Sequence, residues 1–142
     1  MSTRGLYTFT DNEGLSLTVF KHWDNYPEGA HRFIQKALTL AWDLPRFEAD
    51  EFGAAFIAAN KKGGGDLRLL NEASTNGDAL GIEFHYFITS EGATLKVIAR
   101  DIWKGEDLPA VYITRDEIIL PTTMTALQGK ATKDMSGLVV YA

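Results

Sequence analysis

The sequence contains no cysteine, and this absence removes several kinds of chemistry at once. Disulfide bonds, thiol nucleophiles and thiolate zinc sites are all excluded. The three histidines are His22, His31 and His85, and no two of them have the four-residue separation of a zinc-binding helix. The sequence therefore predicts neither a metal site nor a bound cofactor.

The sequence also lacks a long apolar run and an excess of positive charge. No stretch approaches the roughly 18 consecutive apolar residues of a membrane span, and residues 1–5 lack the apolar region of a signal peptide. The formal net charge of −5 disfavours non-specific binding to duplex nucleic acid, because that binding needs a basic face. We therefore expect a cytoplasmic protein that binds neither membranes nor, non-specifically, duplex nucleic acid.

The sequence does contain enough apolar material for one core. Hydrophobic residues make up 45% of the 142 residues and aromatic residues 11%, which suits a single domain over 1–142. Alternating apolar residues around turn-forming residues predict two β-hairpins, 6–10 with 15–21 and 80–89 with 94–103. Further strands are predicted at 66–70, 110–114, 118–120 and 138–141. The last of these would end the sheet or exchange with a neighbouring subunit.

Helical spacing of apolar residues predicts two helices. The first runs from Pro27 to about Trp42 and the second from about Arg46 to Asn60. Because the helices come early and most strands late, we expect an α+β fold. Two adjacent helices should pack on one face of a mainly antiparallel sheet, and a parallel, Rossmann-type arrangement is disfavoured.

The same patterns assign faces to individual side chains. On the first helix, His31 and Arg32 are expected to face solvent. In the second hairpin, alternation divides the strand into a core face and an opposite face. The core face is predicted to hold Ile82, Phe84, Tyr86 and Ile88, and the opposite face Glu83, His85 and Phe87.

Candidate functional residues are concentrated between the first hairpin and the first helix, at Lys21, His22, Trp23, Asp24 and Tyr26. Trp23 and Tyr26 offer flat faces for a base or a sugar, and Lys21 offers positive charge to a phosphate. Backbone N–H groups at the start of the helix also favour an anion. The alternative interpretation is structural: the two rings close the end of the core, while His22 and Asp24 cap the helix.

Two arginines outside this segment are further candidates. Arg46 stands at the predicted start of the second helix, where a cation opposes the helix dipole and so implies a compensating anion or partner. Arg100 is predicted to lie across from His85 or Glu83 on the solvated face of the second hairpin. It would form a cross-strand charge pair there, or line a polar groove or subunit interface.

Catalysis is an alternative use of the same segment. His22 and Asp24 share a face of an extended chain, and a histidine oriented by a carboxylate can act as a general acid or base. No nucleophile stands at a diagnostic spacing, so we assign no catalytic residue and favour binding over catalysis. Lys61 and Lys62, which precede three glycines, form a flexible connection or close over an anionic ligand.

Three runs of the sequence resemble a family of small uncharacterised proteins encoded by phages and prophages. They are 7–9, 21–27 with the pattern Lys-His-Trp-Asp-x-Tyr-Pro, and 44–52, and the similarity covers about residues 4–70. The resemblance implies a viral accessory protein, and it carries no catalytic residues that transfer. Small accessory proteins of that kind often counter bacterial defences by sequestering a nucleotide signal or by plugging a defence protein.

These observations lead to three hypotheses. The first is a non-enzymatic, homo-oligomeric accessory protein that binds and sequesters a small anionic, nucleotide-like ligand. Its ligand contacts would come from Lys21, His22, Trp23, Asp24, Tyr26, Arg46 and Arg100. The second is an inhibitor that blocks a host defence protein with its acidic surface. The third is a small hydrolase that uses His22 and Asp24.

Overall fold

The computed structural model describes residues 3–62, 66–70 and 81–121. Its helices are α1 (Pro27–Leu38) and α2 (Ala49–Asn60). Its strands are β1 (Gly5–Thr10), β2 (Ser16–Lys21), β3 (Leu67–Leu70), β4 (Phe84–Glu91), β5 (Thr94–Asp101), β6 (Glu106–Asp107), β7 (Val111–Ile113) and β8 (Ile118–Ile119). The predicted terminal strand at 138–141 and the glycines at 63–65 lie outside the described residues. Neither described helix is long and apolar enough to cross a membrane.

The described strands form one sheet in the order β3-β2-β1-β4-β5-β7-β8, and β6 also pairs with β5. All neighbours are antiparallel except β1 and β4, which are parallel, with Gly5 opposite Phe84. The predicted α+β fold with a mainly antiparallel sheet and two adjacent helices is therefore confirmed. β3 extends the sheet beyond β2, whereas β4 joins β1 on its other side and runs parallel to it.

An aromatic cluster fixes the helices to the sheet. The centroid of the Tyr7 ring on β1 lies 4.6 Å from that of Phe56 on α2 and 5.1 Å from that of Tyr86 on β4. Phe9 lies 5.1 Å from Phe52, one turn before Phe56 on the same helix face. All five side chains are fully buried, so this cluster forms the centre of the core.

Both helices are shorter than the sequence predicts, because distant side chains set their ends. The Arg115 guanidinium donates hydrogen bonds to the carbonyl oxygens of Leu38, at 2.8 Å, and Ala41, at 3.2 Å. The first helix therefore ends at Leu38 instead of continuing to Trp42. The second begins at Ala49, whose N–H donates to the Asp11 carboxylate at 3.0 Å.

Two face assignments are wrong. His31 is buried against a small apolar pocket lined by Val97, Ala99 and Val111, because β5 and β7 cover a wider arc of α1 than its apolar stripe indicates. Ile82 packs with Leu6 in a second cluster on the far side of the sheet. The remaining assignments of the second hairpin agree with the structure: Tyr86 and Ile88 are buried, Phe84 packs against the core, Phe87 is exposed, and Glu83 and His85 are partly buried.

Candidate functional site

Residues 21–27, the β2–α1 junction, are fastened to the sheet by a fully buried asparagine. The Asn25 side chain accepts a hydrogen bond from the Tyr7 hydroxyl at 2.6 Å and donates to the carbonyl oxygens of Thr3 and Lys21, both at 2.8 Å. Its own carbonyl accepts from the Tyr86 hydroxyl at 2.5 Å. Burial raises the pKa of both tyrosines, so their hydroxyls stay protonated as donors.

The same junction turns two rings outward. Trp23 is 45% exposed and Tyr26 is 44% exposed. The His22 ring packs beside the indole, with centroids 4.4 Å apart, and the His22 N–H donates to the Asp66 carbonyl at 3.1 Å. The two aromatic faces are therefore open to solvent on a backbone that is held from inside.

Lys21 does not present its charge outward as predicted. It is only 4% exposed, its ammonium donates to the Trp23 carbonyl at 2.5 Å, and it lies 3.8 Å from the centroid of the Phe33 ring. Burial lowers the pKa of Lys21, which the nearby Asp24 partly offsets. The ammonium therefore holds the backbone of Trp23 in place. It can act on a ligand at the surface only through its electrostatic field.

The structure gives no support to an acid–base pair at this junction. Asp24 is exposed and adopts a left-handed backbone with φ of 62°, a conformation that aspartate tolerates. Among the described residues, no hydrogen bond joins its carboxylate to His22. These residues also hold no group of three or more histidine, aspartate or glutamate side chains placed to bind a metal ion.

Positive groups surround the junction where the end of α2 meets it. Lys36 on α1 is close enough to lower the pKa of Lys21 further, and Lys61 lies near Asp66, as its effect on the pKa of that carboxyl indicates. Arg68 pairs with the same carboxylate at 3.1 Å. Lys36 itself is in the last turn of α1, so the cations near this corner are Lys21, Lys61 and Arg68, together with the carboxylates of Asp24 and Asp66.

The close approach of Gly29 to the Asp24 carbonyl oxygen can be tested by substitution. A methyl group at Gly29 would lie 2.5 Å from the Asp24 carbonyl oxygen, whereas one at Gly53 on α2 would make ordinary contacts of 3.7 Å. We expect Gly29→Ala to lower the free energy of unfolding by about 1–3 kcal/mol, and Gly53→Ala to raise it by up to about 1 kcal/mol. Urea unfolding of both variants measures the difference. Equal effects from the two substitutions would contradict the close approach at Gly29.

Arg46 does not join the junction. It lies in the loop between the helices, where its guanidinium stacks 3.6 Å from the centroid of the Trp42 ring. This loop and the junction lie at opposite ends of α1, a helix of 12 residues and so about 18 Å long. The expectation of a cation at a helix start is also wrong here, since α2 begins at Ala49.

Arg100 is likewise separate from the junction. It lies opposite His85 in the β4–β5 register as predicted, but its ion pair is with Asp107 on β6, at 3.0 Å. Its backbone is three strand spacings from β2, about 14 Å, and it shares the sheet face of His85, not the face covered by the helices. The structure therefore brings together only the five candidates that are close in sequence.

Sequence reasoning missed the residue that organises the site. Asn25 appears in the sequence as one more polar residue of a loop, and nothing local indicates that it is buried beneath three elements. Its position two residues before a helix-starting proline was the only available signal. Phe33 and Lys36 were also missed, because their approach to Lys21 depends on the packing of α1 against the sheet.

A cleft of about 290 Å³ lies at the other end of α1 and includes Trp42 and Arg115. The Arg115 guanidinium is already occupied by two backbone carbonyls and by the Asp43 carboxylate at 2.5 Å. Carboxylates of Asp43 and Asp116 also line this cleft. It is therefore a poorer place for an anion than the β2–α1 junction.

Comparisons with protein-family models, with curated proteins and with solved structures find no match to this chain. The β2–α1 junction is therefore interpreted from its own geometry.

Proposed function

We propose that this protein binds a small anionic ligand with a flat ring at the β2–α1 junction and releases it chemically unchanged. The observation that carries the proposal is the pair of exposed rings, Trp23 and Tyr26, on a backbone fastened from beneath by Asn25. A base stacked on a protein ring gains about 1–3 kcal/mol, and a ring already held in place loses little freedom on binding.

The charges at the junction favour an anionic group beside that ring. Lys61 supplies positive potential, and the buried ammonium of Lys21 adds to it. Helix α1 also begins at this junction, and the positive end of the helix dipole favours an anion there. A phosphate attached to a stacked base satisfies both preferences.

The resemblance to phage-encoded proteins suggests what such a ligand is for. Under this proposal, the protein acts in the host cytoplasm as a homo-oligomeric sponge for a nucleotide immune signal. Sequestration requires binding without turnover. Native mass spectrometry, with identification of any released small molecule, measures the oligomer size and the bound ligand together.

Trp23→Ala is expected to weaken nucleotide binding by roughly 10- to 100-fold, because it removes the stacking surface and leaves the core intact. Isothermal titration with a panel of mono-, di- and cyclic nucleotides measures the change. Trp103→Ala is the matched control, since Trp103 is also exposed but lies at the β5–β6 turn.

Two results would overturn this proposal. One is equal affinity for nucleotides in the wild-type protein and in Trp23→Ala. The other is recovery of an altered nucleotide after heat denaturation of the complex, which would indicate turnover. Lys61→Gln adds an electrostatic test, since it should weaken binding and reduce its dependence on salt.

A further inference from the structure

The most exposed aromatic side chain among the described residues lies away from the β2–α1 junction. Trp103 is 78% exposed and sits in the turn between β5 and β6. The turn is preformed: the Gly105 N–H donates to the Asp101 carbonyl at 2.8 Å, and Arg100 donates to the Gly105 carbonyl at 3.2 Å. An indole on such a rigid turn provides a large contact surface at little cost in conformational entropy.

A cleft of about 180 Å³ lies beside this indole. Its walls are Phe84, Glu83, Asp101, Trp103 and the Lys104 side chain. Phe84 and Asp101 face each other across β4 and β5, and Asp101 in turn faces Glu106 across β5 and β6. The cleft therefore combines two aromatic side chains with the carboxylates of Glu83 and Asp101, and Glu106 lies beside it on β6.

Three carboxylates lie at or beside this cleft, and that of Asp101 accepts a hydrogen bond from the Lys104 N–H at 3.0 Å. Asp101 and Glu106 are directly opposite each other, an arrangement of like charges that destabilises a sheet. Within the part of the chain that the structure describes, none of Glu83, Asp101 and Glu106 forms an ion pair. A bound cation would relieve this repulsion.

We propose that this cleft binds an arginine side chain of a partner protein. A planar guanidinium can stack on the open face of Trp103 and direct two N–H groups at a carboxylate, whereas a compact ammonium cannot do both. The chain contains the same pairing at another site, where Arg46 lies 3.6 Å from the Trp42 ring centroid. Quaternary ammonium groups bind in closed aromatic cages. This cleft has a single indole and is open on one side, so it does not form such a cage.

The proposal does not depend on ligand binding at the β2–α1 junction. Lys21 in that segment and Asp101 at this cleft lie at the same end of the sheet, but strands β1 and β4 separate them. Binding of an anion at one surface and of a basic partner at the other can be measured independently.

The test uses the three tryptophan indole N–H signals of the ¹⁵N-labelled full chain, assigned with Trp→Phe variants. Titration with the capped peptide Gly-Arg-Gly should shift the Trp103 signal and leave the Trp23 signal in place. Gly-Lys-Gly and tetramethylammonium should bind at least threefold more weakly. Equal shifts at all three indoles, or equal binding of the three probes, would overturn the proposal.

Variants that change the charge of the cleft provide a second test of the proposal. Glu83→Gln combined with Asp101→Asn should weaken binding of the arginine peptide by roughly fivefold or more. Lys104→Gln should strengthen it, because Lys104 lines the cleft and its positive charge repels a second cation. Glu13→Gln combined with Glu48→Gln, two exposed residues on the far side of the protein, is the matched control, because it also removes two negative charges. Loss of affinity in that control equal to the loss in the cleft variant would show a non-specific charge effect and contradict the site.

Discussion

Asn25→Ala is expected to lower the free energy of unfolding by about 3–4 kcal/mol, because it leaves buried polar groups without partners. The substitution removes the acceptor of the Tyr7 hydroxyl and the donor to the Lys21 and Thr3 carbonyl oxygens. Tyr7 is fully buried, so solvent cannot replace the lost hydrogen bond. Urea unfolding followed by circular dichroism measures the change.

Tyr7→Phe is the matched control for this network. It removes one hydroxyl and keeps the ring that packs on Phe56 and Tyr86, so a smaller loss of about 1–2 kcal/mol is expected. The double variant with Asn25→Ala should cost less than the sum of the two single changes, since both break the same hydrogen bond. Additive losses would contradict a shared network.

Acid should destabilise the protein through the buried His31 and the partly buried His85. Burial lowers the pKa of His31 and of His85 to about 4, from an ordinary value of 6.5. The unfolded chain therefore binds protons between pH 6.5 and pH 4 that the folded protein does not. Stability is complete above pH 6.5 and falls as the pH drops toward 4, by about 3 kcal/mol for His31 and by less for His85, which solvent reaches in part.

Two variants separate this effect from the titration of carboxylates. His31→Leu and His85→Gln should each flatten the dependence of unfolding free energy on pH between 6.5 and 4, as measured by urea unfolding at several pH values. Hydrogen bonds from the backbone, chiefly from Ala49, lower the pKa of Asp11, so its stabilising contribution is lost only below its ordinary value of 3.8. An unchanged slope in both variants would refute the assignment to histidine.

The first hairpin illustrates how much of the fold is local. Alternating residues around Asp11 and Gly14 predict its two strands to within one residue of the observed bounds. The turn itself is closed by local bonds, with the Asp11 carboxylate accepting from the N–H groups of Glu13 and Leu15. Features of this kind can be predicted, because every group that decides them lies within a few residues.

The helix ends illustrate the opposite case. Local spacing continues the first helix to Trp42, but Arg115 binds the carbonyls where it stops. Local spacing begins the second at Arg46, but Asp11 caps it at Ala49. Each decisive partner is more than 35 residues away, and its arrival depends on how the sheet packs on the helices.

The candidate site likewise has features that the sequence predicts and features that it does not. The segment with exposed rings could be recognised from residue types alone, and the structure does expose Trp23 and Tyr26. The buried state of Lys21, by contrast, depends on Phe33 and Trp23 meeting it in three dimensions. The separation of Arg46 and Arg100 from this segment follows from the positions of whole elements.

By itself, the sequence determined the class of the fold, the order of the two helices and the main strands, and the absence of cysteine chemistry, because periodicity and composition are properties of neighbouring residues. It missed the two-residue strand β6. Only the tertiary structure decided which of the polar and aromatic side chains are buried and which are exposed. Asn25 and Lys21 are held inward by hydrogen bonds and a ring, while Trp23, Tyr26 and Trp103 stay exposed. Burial depends on the elements that close over a residue, and residue type alone does not specify them.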